Sequence, residues 1–181
     1  MEIETLARAL EREHREIDAG IEAFTSGTQA GDERSPLGVI QALRRHIYLE
    51  EEFLFPLLRE AEPALSAPVF VMLREHGQLW QLLDSLEQEP GAAGGGGTGL
   101  TLSRQLTVLL LHHNLKEEKI LYPRADLLLT EPAAARLREF IASGQLPQGW
   151  TCAKAVAASQ PPALAPACTR ETSHCFNENN R

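Results

Sequence analysis

Four stretches of the chain place apolar residues at steps of three and four. The first runs through Ile3, Leu6, Leu10, His14, Ile17, Ile21 and Phe24, the second through Val39, Leu43, His46, Glu50, Phe53 and Leu57. The third takes in Val69, Met72, His76, Leu79, Leu83 and Leu86, the fourth Leu102, Leu106, Leu109, His113, Glu117, Ile120, Arg124 and Leu127. A period near 3.6 turns such positions to one face, so each stretch predicts an amphipathic helix. Ser35-Pro36 and Ser66 with Pro68 are start signals for the second and third helices. Thr25 to Arg34 and Ala61 to Ala67 read as short connections, Glu89 to Gly99 as a glycine-rich linker.

Short connections make sequence neighbours antiparallel. The predicted fold is therefore all-α: an up-down-up-down antiparallel four-helix bundle, with a short C-terminal helix near Ala133 to Ile141. From about Leu146 the periodicity is lost and Ala, Pro, Ser and Asn dominate. The expected organisation is a bundle over residues 1–145 and a low-complexity, disordered tail over 146–181. Pro56 and Pro123, late in their helices, predict a kink or a helix end.

Composition narrows the function classes. Among 181 residues, 25 acids against 17 bases give a net charge of −8, which disfavours nucleic acid, because phosphate contacts need clustered Lys and Arg. No apolar run reaches a membrane span. The N-terminus lacks a basic segment followed by an apolar one, so a cytoplasmic protein is expected. Cys152, Cys168 and Cys175 all fall in the last thirty residues. Their odd number argues against a disulfide framework, their spacing fits no zinc pattern, and they read as incidental thiols of the tail. Nothing resembles a nucleophile elbow, a phosphate loop or a dinucleotide fingerprint.

The polar interruptions of the stripes carry the chemistry. His46 to Pro56 and His113 to Pro123 both read H-x-x-x-E-E-x-x-L-[FY]-P. The other two helices share a shorter string, Arg12-Glu13-His14 and Arg74-Glu75-His76, a weak signal alone. The order suggests a duplicated helix pair. Residues four apart lie one turn apart on one face, so His46 projects with Glu50, and His113 with Glu117. Counted from the predicted helix ends, His14, His46, His76 and His113 fall within about a turn of one height. Six polar side chains then share one core layer. Two buried carboxylates without cations would each cost several kcal/mol. Imidazole nitrogen with carboxylate oxygen suits iron, manganese or zinc, and the set suffices for two ions if both carboxylates bridge.

Nearby groups read more plainly. His112 sits off the stripe and is expected at the surface. Glu51, Glu52 and Glu118 are expected on a solvated acidic face or as hydrogen-bond acceptors beside the site, with a place among the ligands as the lesser alternative. Tyr48 and Tyr122 are expected first as partly buried packing residues, with donation near the site as the alternative, although Tyr48, two residues past His46, points elsewhere. Trp80, Phe53 and Met72 are expected to fill the core, or else to wall a small-ligand pocket.

Over residues 3 to 129 these motifs resemble the hemerythrin-like family, the HHE cation-binding domain. The resemblance implies a non-haem di-iron centre with an oxo or hydroxo bridge, Glu50 and Glu117 bridging and His14, His46, His76 and His113 terminal. Manganese and zinc remain compatible with the same donors. Oxygen-carrying members place a second His four residues after that of the third helix; here Trp80 stands there. They use an Asp five residues after the last His; here that position is Glu118, with Glu117 at the i+4 place. The departure weakens the case for reversible oxygen carriage and favours sensing, redox or iron-handling roles. The implied function is a binding or sensing protein for O2, NO or peroxide, or one responding to iron or redox state. The rival is a di-iron oxidoreductase of peroxidase or nitric-oxide reductase type. No nucleic acid or membrane is expected as partner, and the sequence names no protein partner.

Overall fold

Thr5 opens the first helix: its hydroxyl accepts the Arg8 N–H at 3.3 Å, capping α1 (Leu6–Thr25). The computed structural model describes residues 4–26, 36–88 and 97–155. Ile3, Ser35, most of the glycine-rich linker, and Cys168 and Cys175 lie outside the described residues. Helix α2 (Pro36–Leu49) continues through one π-turn, Glu50–Leu54, into α3 (Phe55–Ala61). A 3-10 turn, Pro63–Leu65, leads into α4 (Ser66–Gln88). Helix α5 (Gly97–Lys116) then repeats the second helix: a π-turn, Glu117–Leu121, and α6 (Tyr122–Leu128). The short C-terminal helix is α7 (Glu131–Ser143). The described residues contain no strand.

The two π-turns have one cause. Pro56 and Pro123 have no N–H to donate, and their rings crowd the carbonyl four residues back. Widening the preceding turn accommodates both problems. The Phe55 N–H goes to the Glu50 carbonyl and the Tyr122 N–H to that of Glu117, each a step of five. The widened turn holds an extra residue and rotates the rest of its arm about the helix axis. The expected stripe of Phe53 and Leu57, and of Ile120, Arg124 and Leu127, is therefore replaced by Leu54, Phe55 and Leu58, and by Leu121, Tyr122 and Ala125. Phe53, expected in the core, is 41% exposed and packs on Tyr48 and Phe140 at the surface.

Pairs at the helix ends fix the directions. The Ala7 N–H donates to Asp126 Oδ1, so α1 begins where α6 ends. Arg124 meets Glu62, so the second and fourth arms run the same way. Arg44, in the first half of the continuous arm from α2 to α3, meets Asp84 and Glu87, late in α4. This is the antiparallel up-down-up-down bundle, with α7 packed on α1 and α2. Its apolar core is split in two. One half lies around Leu10, Leu54, Phe55, Met72 and Leu121, the other around Ile17, Leu43, Leu79, Leu83 and Leu106. The histidine and glutamate positions fall between these halves on every arm.

The chain beyond Leu146 departs from expectation. Residues 146–155, expected to open a disordered tail, pack against the bundle. Cys152 and Ala155 are buried in the second half-core, with Trp150 against it. The reason is specific side-chain pairing rather than periodicity, so no helical pattern announces it. Residues 156–181 lie outside the described residues. No described helix is long and apolar enough to cross a membrane.

Candidate metal centre

Each arm of the bundle delivers one imidazole to the mid-height layer. His14 and His76 come from the middle of α1 and α4, His46 and His113 from the last turns of α2 and α5. Glu50 and Glu117 are the first residues of the two π-turns. All six side chains are buried, both glutamates at 0% exposure. Their inward atoms form two groups: His14, His46, Glu50 and Glu117, and Glu50, His76, His113 and Glu117. The groups share both carboxylates.

Distances within the groups are short. His14 Nε2 lies 3.0 Å from His46 Nε2 and 3.4 Å from Glu117 Oε2. His46 Nε2 is 3.5 Å and His76 Nε2 3.2 Å from Glu50 Oε2. His113 Nε2 is 3.2 Å from Glu117 Oε1. Bonds of ~2.1 Å to one ion, at angles near 90–110°, set donors about 3.0–3.4 Å apart. Despite these short contacts, Glu50 Oε2, His76 Nε2 and Glu117 Oε1, all in the second group, meet no partner at a hydrogen-bonding angle among the described residues. Buried polar atoms left unpaired cost about 1–3 kcal/mol each, and a shared cation would satisfy all three together. The donor set fits a metal.

The outward ring nitrogens are equally ordered. His14 Nδ1 faces Glu118 Oε1, His46 Nδ1 faces Glu13 Oε2, His76 Nδ1 faces Glu51 Oε1 and His113 Nδ1 faces Glu75 Oε2, each at 3.0 Å. An ionised carboxylate only accepts, so each Nδ1 carries the proton and donates. In the neutral ring the Nε2 lone pair then points inward, as metal-binding imidazoles require. Arg45 in turn holds Glu13, and Lys116 holds Glu75.

Four inward lone pairs and two carboxylates attract positive charge, and protons supply it when nothing else does. Burial works against a charged His14, but hydrogen bonds to Glu117 and Glu118 outweigh it and lift the imidazole to about 9. Burial likewise opposes His113, where the Glu117 charge and hydrogen bond raise it to about 10. Burial would raise the Glu117 carboxyl, yet His113 and His14 hold it well below the usual carboxylate range.

A family model of the hemerythrin HHE cation-binding domain matches residues 5–125. The chain belongs to this family. Its similarity to curated proteins is partial. It is 30% identical over 95 residues to the iron-sulfur cluster repair proteins YtfE of Yersinia pestis (strain Pestoides F) and Yersinia pseudotuberculosis (serotype O:1b, strain IP 31758). Each match takes in 48% of this chain and 43% of the relative, so the chain spans less than half the length of these relatives. No solved structure gives a significant match.

Within this HHE-family site, the six residues singled out from the sequence all converge. Glu51 and Glu118 act as hydrogen-bond acceptors, one of the roles expected of them. His112 is exposed, its Nδ1 on the Val108 carbonyl. Trp80 and Met72 are buried core, with the Arg44 guanidinium over the Trp80 ring at 5.2 Å. Tyr122 takes the second of its two expected roles rather than the favoured one of packing: it sends its hydroxyl into the first group, 2.8 Å from His14 Nε2, 2.9 Å from Glu50 Oε1, 3.3 Å from Glu117 Oε2 and 3.4 Å from His46 Nε2. The π-turn rotates it inward. Burial, then the Glu117 and Glu50 charges, push its phenol well above the ordinary range, so it stays protonated. Phe55, its counterpart in the other half, stacks on His76 at 5.5 Å and brings no oxygen. Periodicity gives no role to Glu13 and Glu75, and the repeated Glu-His dipeptide is their only signal in the sequence.

Proposed function

We propose that this protein holds a pair of non-haem iron ions and uses them to bind or sense O2, NO or peroxide, or to respond to iron or redox state. His14 and His46 would serve one ion, His76 and His113 the other, and Glu50 and Glu117 would bridge them. The observation that carries the reading is the pair of buried four-donor groups sharing two carboxylates. Imidazole and carboxylate suit iron, manganese and zinc alike. Iron is favoured by the likeness to relatives named for iron-sulfur cluster repair. Bound iron would supply one-electron chemistry and affinity for small oxygen- and nitrogen-containing ligands.

The chain's own residues would do the rest. Glu13, Glu51, Glu75 and Glu118 fix each imidazole with its lone pair inward. The apolar half-cores above and below exclude bulk water. Tyr122 holds a proton at its Oη beside the first group. That proton is the specific support for a second reading, an oxidoreductase of peroxidase or nitric-oxide reductase type using the same residues. A cytoplasmic location is proposed with either, supported by the unpaired thiol of Cys152.

Anaerobic purification with metal analysis and an optical spectrum tests the centre. About two irons per chain, with oxo-bridge charge-transfer bands after air exposure, are expected. Zinc alone, or iron content indifferent to His46→Ala, overturns the reading. Steady consumption of NO or peroxide with a reductant favours the enzyme, and stoichiometric reversible binding favours the sensor.

A further inference from the structure

The residues after α7 lie outside the matched domain, yet they reach the layer beneath His76. Trp150 Nε1 donates to Glu52 Oε1 at 2.9 Å, and its ring meets Tyr48 and Trp80 edge-on. Two residues on, the Cys152 thiol donates to Glu51 Oε1 at 3.1 Å and the Ala153 N–H to Glu51 Oε2 at 3.0 Å. Glu51 Oε1 is the same atom that accepts the His76 Nδ1–H. The carboxylate behind His76 is thus held at both oxygens by a segment about a hundred positions later in the chain.

The approach is close enough to need a glycine. A Cβ at Gly77, the neighbour of His76, would stand 2.8 Å from Lys154 Cβ and 3.1 Å from its backbone carbonyl carbon and oxygen. Among the described residues the other half of the bundle has no equivalent: the Glu118 side chain, which faces His14, is 33% exposed, whereas that of Glu51 is 3% exposed.

We propose that residues 147–155 form a strap that positions the second group of the centre, with Cys152 as a positioning residue acting on His76 through Glu51, and with Gly77 as the opening that admits the strap. The consequence for metal retention rests on the proposed function above; the positioning of His76 does not. Strap docking makes the two halves of the centre unequal: an ion held by His76 and His113 would depend on a carboxylate that the strap fixes, whereas one held by His14 and His46 would depend on Glu118, which the strap does not touch. Glu51 without its donors is freed from one orientation, and the imidazole it steers loosens with it.

The test uses the full chain with Cys168→Ser and Cys175→Ser, so that Cys152 is the single thiol. Two measurements are made on metal-free protein: the rate of Cys152 alkylation by iodoacetamide, and solvent exchange of the His76 Nδ1–H followed by NMR. Gly77→Ala is the leading variant, because alanine favours the interior of α4 and leaves the bundle sound. It is expected to speed alkylation at least about tenfold and to accelerate exchange at His76 but not at His14. Cys152→Ala is expected to accelerate the same exchange, and Cys152→Ser, which keeps an O–H donor, to restore it. On iron-loaded protein, Gly77→Ala and Cys152→Ala are expected to lose one ion to a chelator about 10–100-fold faster, and the other at the parent rate. Equal alkylation in parent and Gly77→Ala, unchanged His76 exchange in Cys152→Ala, or parental loss of both ions overturns the proposal. A parent that takes up no iron overturns the function proposed above, while alkylation and exchange still decide the strap.

Discussion

Tyr122 Oη lies 2.9 Å from Glu50 Oε1, a phenol from the end of one π-turn bonded to the carboxylate that begins the other. The two halves of the bundle are built alike down to their prolines, but this contact has no partner in the second group, where Phe55 occupies the matching place.

Tyr122→Phe removes the oxygen and keeps the ring. In metal-free protein it leaves Glu50 Oε1 without its donor and takes one of several partners from His14 Nε2. A loss of about 1–3 kcal/mol of stability is expected in urea unfolding. The loss should shrink once metal is loaded, since an ion satisfies the same atoms. Equal losses in both forms would remove the hydroxyl from the site.

Glu50→Gln and Glu117→Gln keep shape and remove the charge that both ions would share. Each is expected to leave less than about one iron per chain, whereas His112→Ala keeps the parental content. Metal analysis of the three proteins, purified side by side, checks the ligand assignment.

Glu13 and Glu75 hold His46 and His113 from behind. Glu13→Ala and Glu75→Ala should each weaken metal affinity about 10–100-fold in chelator competition, without unfolding the bundle. Affinity unchanged in both would show that the imidazoles orient themselves.

The metal-free protein should lose stability in alkali. His14 and His113 sit at about 9 and about 10 when folded, against ~6.5 in an unfolded chain. A raised imidazole stabilises the fold fully below ~6.5 and loses that contribution as pH climbs through the folded values. The melting temperature should therefore fall between pH 7 and 10. Glu117, depressed when folded, adds a loss on the acid side as pH drops below ~4.5. Metal-loaded protein should not show the alkaline fall, because the ions replace the protons and release them on binding. Thermal melts across this range, with and without metal, give the comparison.

Much of this centre was legible one helix at a time. His46 with Glu50 and His113 with Glu117 are neighbours by helical geometry alone, and His14 and His76 lie on stripes buried from Leu6 to Ile21 and from Val69 to Leu86. Phe53 and Leu127 show where that reasoning stops: one widened turn moved the stripe by one residue, and the prolines that cause it announce a disturbance without its direction. Tyr122 turns inward for the same reason.

The sequence by itself determined four amphipathic helices and six donors on their inner faces, because both follow from hydrogen bonds a few residues long. Tertiary structure alone decided which carboxylate steers which imidazole, that a phenol oxygen enters one half and not the other, and that Cys152 reaches Glu51 from 101 residues away. Those pairings depend on the height and rotation at which distant segments meet, and no local period records them.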